Sequence, residues 1–240
     1  MVKTKEVRIV RIQKVPWQWP QRRKGQINIS ILDDPQKQLS LYEGFFDQVV
    51  EQADDVVSRS FGSCLKGCDS TREHLLNVDL IAIAYSDKIL GFVSAKIFKP
   101  HNLLYIHGVV VDPSVKGKGV CRFLIDSLIK KEGVDWLSFT TQNPVMFKVL
   151  NSFCGEEVYP SPNSSAPSSL EGLAKNIIQG REGTFDAQTF VVSNLYQECL
   201  YDSIPSVTDQ DLHQWFNDSL CIDELRKSNH GFLFFGKIYH

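Results

Sequence analysis

Apolar and polar residues alternate over residues 26–32, where the isoleucines at 27, 29 and 31 fall on one face of an extended chain. This alternation predicts a half-buried strand. The Asp-Pro dipeptide at 34–35 is a helix-start signal, and apolar positions then recur at helical spacing. We therefore expect one long amphipathic helix with an apolar face formed by Leu39, Tyr42, Phe45, Phe46, Val49, Val50, Ala53, Val56 and Val57.

Three further apolar stretches follow at residues 79–85, 89–98 and 104–111, and a Ser-Asp-Lys link joins the first two. This pattern predicts a hairpin that continues into an antiparallel meander. A strand at 134–141 returns after a helix, so we expect it to lie parallel to the strand at 104–111. Periodicity also predicts a helix after the glycine loop that runs to about Lys131 and is stopped by Gly133. Further helices are expected at 144–153, 170–178 and 208–220, and closing strands at 189–196 and 231–239.

The strand at 104–111 ends at an Asp-Pro turn, and a loop with two glycines then leads into a helix. Gly117 and Gly119 allow the backbone to approach a ligand closely, because no Cβ is in the way. The first turn of the following helix offers unpaired N–H groups, which bind anions. The expected arrangement is therefore a strand, an anion-binding loop and a helix.

Three cations surround this loop, at Lys116, Lys118 and Arg122. They favour a pyrophosphate over a single carboxylate as the ligand. Spacing excludes a Walker loop, because no Ser or Thr follows Lys118. It also excludes a dinucleotide fingerprint, since Arg122 stands at the third glycine position.

The segment resembles the acyl-CoA-binding motif of the GNAT superfamily of N-acetyltransferases, Arg/Gln-x-x-Gly-x-Gly/Ala, which follows a strand ending in Val-Asp-Pro. Lys116 stands at the Arg/Gln position, Gly119 at the required glycine and Cys121 at the Gly/Ala position, so two positions depart mildly. The resemblance implies an α/β (α+β) GNAT fold, with a mixed central sheet of about seven strands splayed at the CoA site and flanked by helices. It also implies acetyl-CoA as co-substrate.

By position, the resemblance assigns the strand backbone at Val109 and Val111 to the pantetheine arm and the loop amides to the CoA pyrophosphate. The short helix starting at Asn143 matches a family feature. The expected cofactor-binding residues are Val109, Val110, Val111, Lys116, Gly117, Lys118, Gly119, Val120, Cys121, Arg122, Asn143 and Phe147.

The chemistry of amine acetylation asks for a base. An alkylamine with a pKa near 10.4 is neutral in only about one molecule in a thousand at pH 7, a cost of roughly 4–5 kcal/mol. His107 lies on the same strand face as Val109, and its imidazole is largely neutral at that pH. The closest resemblance here is to the arylalkylamine acetyltransferases, which carry a His at this position. Tyr105 occupies a site where other members place Glu or His, and a hydrogen-bonded core role remains the alternative for His107.

The general acid is unassigned. The family often has a Tyr about seven residues after the Asn that starts the short helix, but here that position falls on Leu150 or Asn151. Tyr159 and Cys154 are the candidates to replace this Tyr as general acid. The CoA thiolate, whose conjugate thiol has a pKa near 8.5, can also leave with help from water.

In the family the first-helix region lines the acceptor pocket. The candidates for substrate contact, with core packing as the alternative, are therefore Phe45, Phe46 and Phe61.

Composition places few constraints on partners. The formal net charge is −2, which gives no general attraction to nucleic acid or to an anionic membrane. The chain shows neither a long apolar run nor a secretory signal at its start, so the expectation is a soluble cytoplasmic protein without a membrane partner.

The six cysteines are scattered along the sequence, which favours reduced thiols over a disulfide framework. The spacing around Cys64, Cys68 and His74 does not suit zinc, so no metal is expected.

The two ends of the chain depart from a minimal GNAT domain. We expect a single domain over 1–240, with a basic extension at about 1–25 and an elaborated part at about 160–240. Alternation at residues 7–12 favours a first strand over an RNA-binding arm. In the elaborated part, residues 160–169 are expected to form a loop, and His213, Trp215 and Phe216 are lid or packing residues.

We therefore expect an N-acetyltransferase that transfers an acetyl group from acetyl-CoA to a primary amine of a small molecule by direct attack. The alternatives are a peptide or protein N-acetyltransferase and a catalytically degenerate acyl-CoA-binding protein. The acceptor, the acyl-chain length and the oligomeric state are left open.

Overall fold

The computed structural model describes residues 27–40, 45–61, 68–181, 183–196, 200–201, 205–221 and 229–239. These residues form a mixed α/β fold, in which largely antiparallel sheet is flanked by helices, as predicted. The chain divides into two compact units, Met1–Ile97 with Ile106–Gly133 and Phe98–Tyr105 with Val134–His240. The predicted first strand at 7–12 and the basic extension lie outside the described residues.

The first unit carries the predicted meander. Its strands are β1 (Asn28–Asp33), β2 (Leu80–Tyr85), most of β3 (Ile89–Phe98) and the second part of β4 (Leu103–Val111). Strand β2 pairs antiparallel with both β1 and β3, and all six of its residues are buried. Its continuous apolar run reflects burial on both faces, because helices cover each side.

The helices of this unit are α1 (Pro35–Ser40), α2 (Phe45–Phe61), α3 (Cys68–Leu76) and α4 (Val120–Glu132). The helical spacing predicted from residue 39 is present in α1 and α2, with residues 41–44 between them outside the described part. The buried face of α2 packs on Ile81 and Ile83 of β2. Helix α3 was not predicted, because Thr71 and Leu75 are the only buried residues among its described side chains.

The second unit contains β5 (Trp136–Thr141), α5 (Pro144–Cys154), β6 (Val158–Tyr159), α6 (Glu171–Ile178), β7 (Thr184–Phe185), β8 (Val191–Ser193), α7 (Gln210–Leu220) and β9 (Gly231–Lys237). Strands β5, β6 and β8 each pair antiparallel with β9, and β7 pairs with β8. The strand predicted at 189–196 is reduced to β8. Phe190 and Asn194, which flank it, have φ values of 59° and 55° that interrupt an extended chain.

An aromatic cluster forms the core where α5 and α7 pack on β9. The Trp215 ring stacks on Phe232 with centroids 4.5 Å apart, and Phe216 is 0% exposed. Phe147 of α5 meets Phe234 edge to face at 5.3 Å. These contacts assign Trp215 and Phe216 to packing within this unit.

Within the described ranges, no helix combines the length and the apolar character needed to cross a membrane. The cysteines described there, Cys121, Cys154 and Cys221, are free thiols. Cys64 lies outside the described residues, as does the side chain of Cys68, so the structure does not describe the cysteine pair considered for zinc.

Candidate active site

The loop between β4 and α4 has the backbone geometry that its glycines predict. Gly117 and Gly119 have φ values of 74° and 78°, in the left-handed region that favours glycine. Gly119 is the N-cap of α4, and the first intrahelical bond runs from the Phe123 amide to the Gly119 carbonyl at 3.0 Å. The amides of Val120 and Cys121 precede that bond, so they belong to the donor set that a helix N-terminus presents to an anion.

Three exposed cations surround this N-terminus, namely Lys116, Lys118 and Arg122. Lys118 folds back so that its Nζ donates to the Ser114 carbonyl at 2.8 Å. No carboxylate occurs between Asp112 and Asp126 in the sequence. The loop therefore combines a concentrated positive charge with a helix N-terminus, which suits a multiply charged phosphate group.

Asp112 anchors the start of the loop. Its carboxylate is 3% exposed and accepts hydrogen bonds from the amide and the hydroxyl of Ser114, at 2.9 and 2.6 Å. Arg59 of α2 donates to the same carboxylate from Nε at 3.1 Å and pairs with it at 2.8 Å. Burial on its own raises the pKa of Asp112, but the bonds from Ser114 and the charge of Arg59 outweigh it and lower that pKa overall. Asp112 is therefore ionised at neutral pH and ties α2 to the loop.

The end of β4 is held closely by neighbouring backbone. A Cβ at Gly91 of β3 would lie 2.8 Å from the Val110 carbonyl oxygen, so a side chain there would force the two strands apart. Ser60 of α2 donates from Oγ to the Val111 carbonyl at 2.9 Å. Val109 and Val111, predicted to bind pantetheine through their backbone, are both partly exposed.

His107, the predicted base, is partly exposed on β4 and contacts a second histidine. The ring of His74 on α3 meets the His107 ring edge to face, with centroids 4.9 Å apart and planes at 62°. The Nδ1 of His74 lies 3.0 Å from the Ser70 carbonyl, which can only accept, so Nδ1 carries a proton. Gly108 leaves room for His74, since a Cβ there would lie 3.4 Å from the imidazole Cδ2.

Tyr105, the second predicted catalytic residue, belongs to the other unit and is 1% exposed. Its hydroxyl accepts a hydrogen bond from Arg181 at 2.6 Å and lies 3.0 Å from the Thr140 hydroxyl. The phenol is thus held in a polar cluster within the second unit.

The predicted cofactor residues of the second unit have local roles. Asn143 is the N-cap of α5, and its Oδ1 accepts from the Val145 amide at 2.9 Å. Phe147 is 5% exposed within the aromatic cluster, so packing accounts for it. Leu150, at the family's Tyr position, is 0% exposed. Cys154 is also 0% exposed, and burial raises the pKa of its thiol to about 12, which does not suit an acid that works near neutral pH.

The aromatic residues considered for substrate contact lie on α2. Phe46 and Phe61 are partly buried and pack against the core of the first unit. The guanidinium of Arg72 lies 4.7 Å above the Phe46 ring. The Phe45 side chain lies outside the described residues.

The sequence reasoning missed Arg59, Ser60 and His74 as neighbours of the predicted site. Arg59 and Ser60 lie on the C-terminal turn of α2, and more than 50 residues separate them from Asp112. Asp112 in the Val-Asp-Pro turn was the sequence signal that a partner such as Arg59 is needed, because a buried carboxylate requires a hydrogen-bonding or cationic partner. His74 gave no such signal, since it lies on a helix with weak periodicity.

Residues 44–144 match the model of the acetyltransferase (GNAT) family. No curated protein matches the chain. Among solved structures, the chain is similar to nourseothricin acetyltransferase, with 24% identity, 26% of this chain and 39% of that chain covered, and a TM-score of 0.24.

Two further solved structures cover more of the chain. The ribosomal-protein-S18-alanine N-acetyltransferase from Escherichia coli is 12% identical over 88% of this chain and 95% of its own, with a TM-score of 0.42. The PaiA N-acetyltransferase from Thermoplasma acidophilum, in complex with coenzyme A, is 18% identical over 54% and 91%, with a TM-score of 0.37.

Proposed function

Residues 44–144 of this chain belong to the acetyltransferase (GNAT) family, and on that premise we propose that the protein transfers an acetyl group from acetyl-CoA to a primary amine of a small molecule. The observation that carries the proposal is the loop with Gly117 and Gly119 at positive φ, which leads into the N-terminus of α4 among three exposed cations. This donor set suits the pyrophosphate of CoA. The cytoplasmic location expected from the sequence stays part of the proposal.

Each part of this site has a role in the proposed reaction. The backbone of residues 117–120 binds the pyrophosphate, and the strand backbone at Val109 and Val111 orients the thioester. One of these two amides donates to the thioester oxygen and stabilises the negative charge that develops there. Asp112 and Arg59 hold the end of β4 and the start of the loop in place.

The amine nitrogen attacks the thioester carbon, the nitrogen–carbon bond forms, and His107 accepts the proton that the nitrogen loses. The carbon–sulfur bond then breaks, and the thiolate leaves and takes a proton from water. Direct attack is favoured over an acyl-cysteine route, because burial raises the pKa of the Cys121 and Cys154 thiols to about 12. Neither thiol is an activated nucleophile at neutral pH.

The buried Leu150 at the family's Tyr position favours a second candidate, an acyl-CoA-binding protein without turnover. The two candidates are separated by measuring free thiol released from acetyl-CoA across a panel of amines, beside calorimetric binding of CoA. We expect CoA binding together with thiol release that depends on the amine. CoA binding with no release across the panel would establish the binding protein instead, and the absence of CoA binding would refute both.

A further inference from the structure

Phe123 of α4 carries an exposed aromatic ring beside the glycine loop of the first unit. The residue is 44% exposed, and within the described ranges it is one of three large apolar residues that are classed as exposed. A Cβ at Gly119 would lie 3.5 and 3.6 Å from two carbons of the Phe123 ring. The ring therefore leans back over the start of the helix, as helical side chains do, and keeps part of its surface open.

This ring lies next to the amides that would bind an anion. The Phe123 amide donates to the Gly119 carbonyl at 3.0 Å, and the Phe123 carbonyl accepts from the Ser127 hydroxyl at 2.7 Å, so the residue is held within the hydrogen-bonded helix. The amides of Val120 and Cys121 precede it, and Val120 is only about 4.5 Å away along the helix axis. An anion at this helix N-terminus would therefore have an aromatic surface beside it.

A ligand that fits both features carries a phosphate group and a flat ring. The exposed cations at Lys116, Lys118 and Arg122 favour a multiply charged phosphate. An exposed aromatic ring offers a face on which a nucleobase stacks. In a nucleoside diphosphate only a ribose separates the base from the diphosphate, so one molecule can reach both features. A free phosphate, or a phosphopantetheine without its nucleotide, would use the loop alone.

We propose that Phe123 stacks on the adenine base of CoA when the loop binds the pyrophosphate, and that this contact selects CoA over phosphopantetheine that carries no nucleotide. Phe123 is thus a specificity-determining residue for the nucleotide end of the donor, and it takes no part in the chemistry at the thioester. The identification of the nucleotide as CoA rests on the proposed function, whereas the stacking of an adenine nucleotide does not. Phe123, the loop and its cations all belong to the first unit.

Calorimetry with two diphosphates tests the stacking. Adenosine diphosphate and methyl diphosphate share the charged group, and only the first carries a base. We expect wild-type protein to bind adenosine diphosphate about tenfold more tightly than methyl diphosphate. In Phe123→Ala this ratio should fall to about one, with the affinity for methyl diphosphate unchanged. Phe123→Trp should retain the ratio, because an indole keeps a stacking face.

Tyr239→Ala is the matched control, because it removes another exposed aromatic ring, on a residue that is 61% exposed near the end of the second unit. Its ratio should equal that of wild type. Equal affinities of the wild-type protein for the two diphosphates, or a ratio that survives in Phe123→Ala, would refute the stacking. A Phe123→Ala protein that binds both diphosphates equally more weakly, with an unchanged ratio, would refute it too, since the ring would then only support the loop.

Thiol release with two acetyl donors tests the selection of CoA. Phe123→Ala should raise the KM for acetyl-CoA about tenfold and leave both kcat and the KM for S-acetyl-4′-phosphopantetheine unchanged. Equal changes for the two donors, or CoA binding and thiol release that Phe123→Ala leaves intact, would refute the adenine contact alone. Base-dependent binding of adenosine diphosphate by a protein that does not bind CoA would refute the proposed function and leave the adenine site standing.

Discussion

Asp112 offers a direct test of how the proposed CoA loop is held. Its buried carboxylate accepts two hydrogen bonds from Ser114 and pairs with Arg59 of α2. Asp112→Asn keeps the volume of the side chain and one oxygen acceptor, but it removes the negative charge. The bond from the Ser114 amide can survive this change, whereas the ion pair with Arg59 is lost.

The expected magnitude follows from these contacts. A hydrogen bond to a charged group contributes about 1.5–3 kcal/mol, and removal of one partner of a fully buried pair costs about 3–5 kcal/mol. The Arg59 side chain is 35% exposed and keeps its pair with Asp55, so solvent and the second carboxylate reduce the loss. We expect the free energy of unfolding to fall by about 2–3 kcal/mol at pH 7. CoA binding should weaken about tenfold, because the loop donors are no longer preorganised.

The difference between wild type and Asp112→Asn should depend on pH. The pKa of Asp112 is lowered in the folded protein, so the carboxylate contributes its stability above the unfolded pKa of about 3.9. That contribution is lost as the pH falls through the lower folded value. The two proteins should therefore differ fully at pH 7 and converge in strongly acidic solution.

Urea unfolding followed by far-UV circular dichroism measures the stability, and calorimetry measures CoA binding. Asp126→Asn is the control, because its pair with Lys130 is an exposed pair one helical turn apart, worth about 0.5 kcal/mol. An Asp112→Asn protein with the urea midpoint and CoA affinity of this control would refute the anchoring role of Asp112.

Three other predictions follow from the same geometry. Gly119 and Gly133 have φ values of 78° and 62°, so replacing either glycine by Ala should lower the free energy of unfolding by about 1–2 kcal/mol. Gly119→Ala should also weaken CoA binding measured by calorimetry, whereas Gly133→Ala, beyond the end of α4, should leave CoA binding unchanged. Equal CoA binding by the two variants would contradict this. His107→Ala should lower amine-dependent thiol release by about 10²–10⁴-fold, mainly below about pH 8, and unchanged rates across pH would remove the base. Because burial raises the pKa of Cys121 to about 12, iodoacetamide at pH 8 should modify the exposed Cys221 before Cys121, as followed by mass spectrometry. Faster labelling of Cys121 than of Cys221 would contradict this prediction.

The order of local elements followed from periodicity and turn chemistry alone. The meander, the glycine loop and the stop of α4 at Gly133 were predictable, because each depends on the spacing of apolar residues or on a backbone conformation that glycine adopts without strain. The start of the helix at Asn143 was likewise indicated by residue type. These features depend on neighbours within a few residues of the chain.

Other features required the tertiary structure. Arg59 meets Asp112 across 53 residues, His74 reaches His107 from a helix without clear periodicity, and Arg181 meets Tyr105 across 76 residues. Such contacts pair charges and rings from separate segments, and no local rule specifies which segments meet. The sequence by itself therefore determined the strand, loop and helix that a CoA pyrophosphate would need, whereas the packing decided which distant side chains hold that loop.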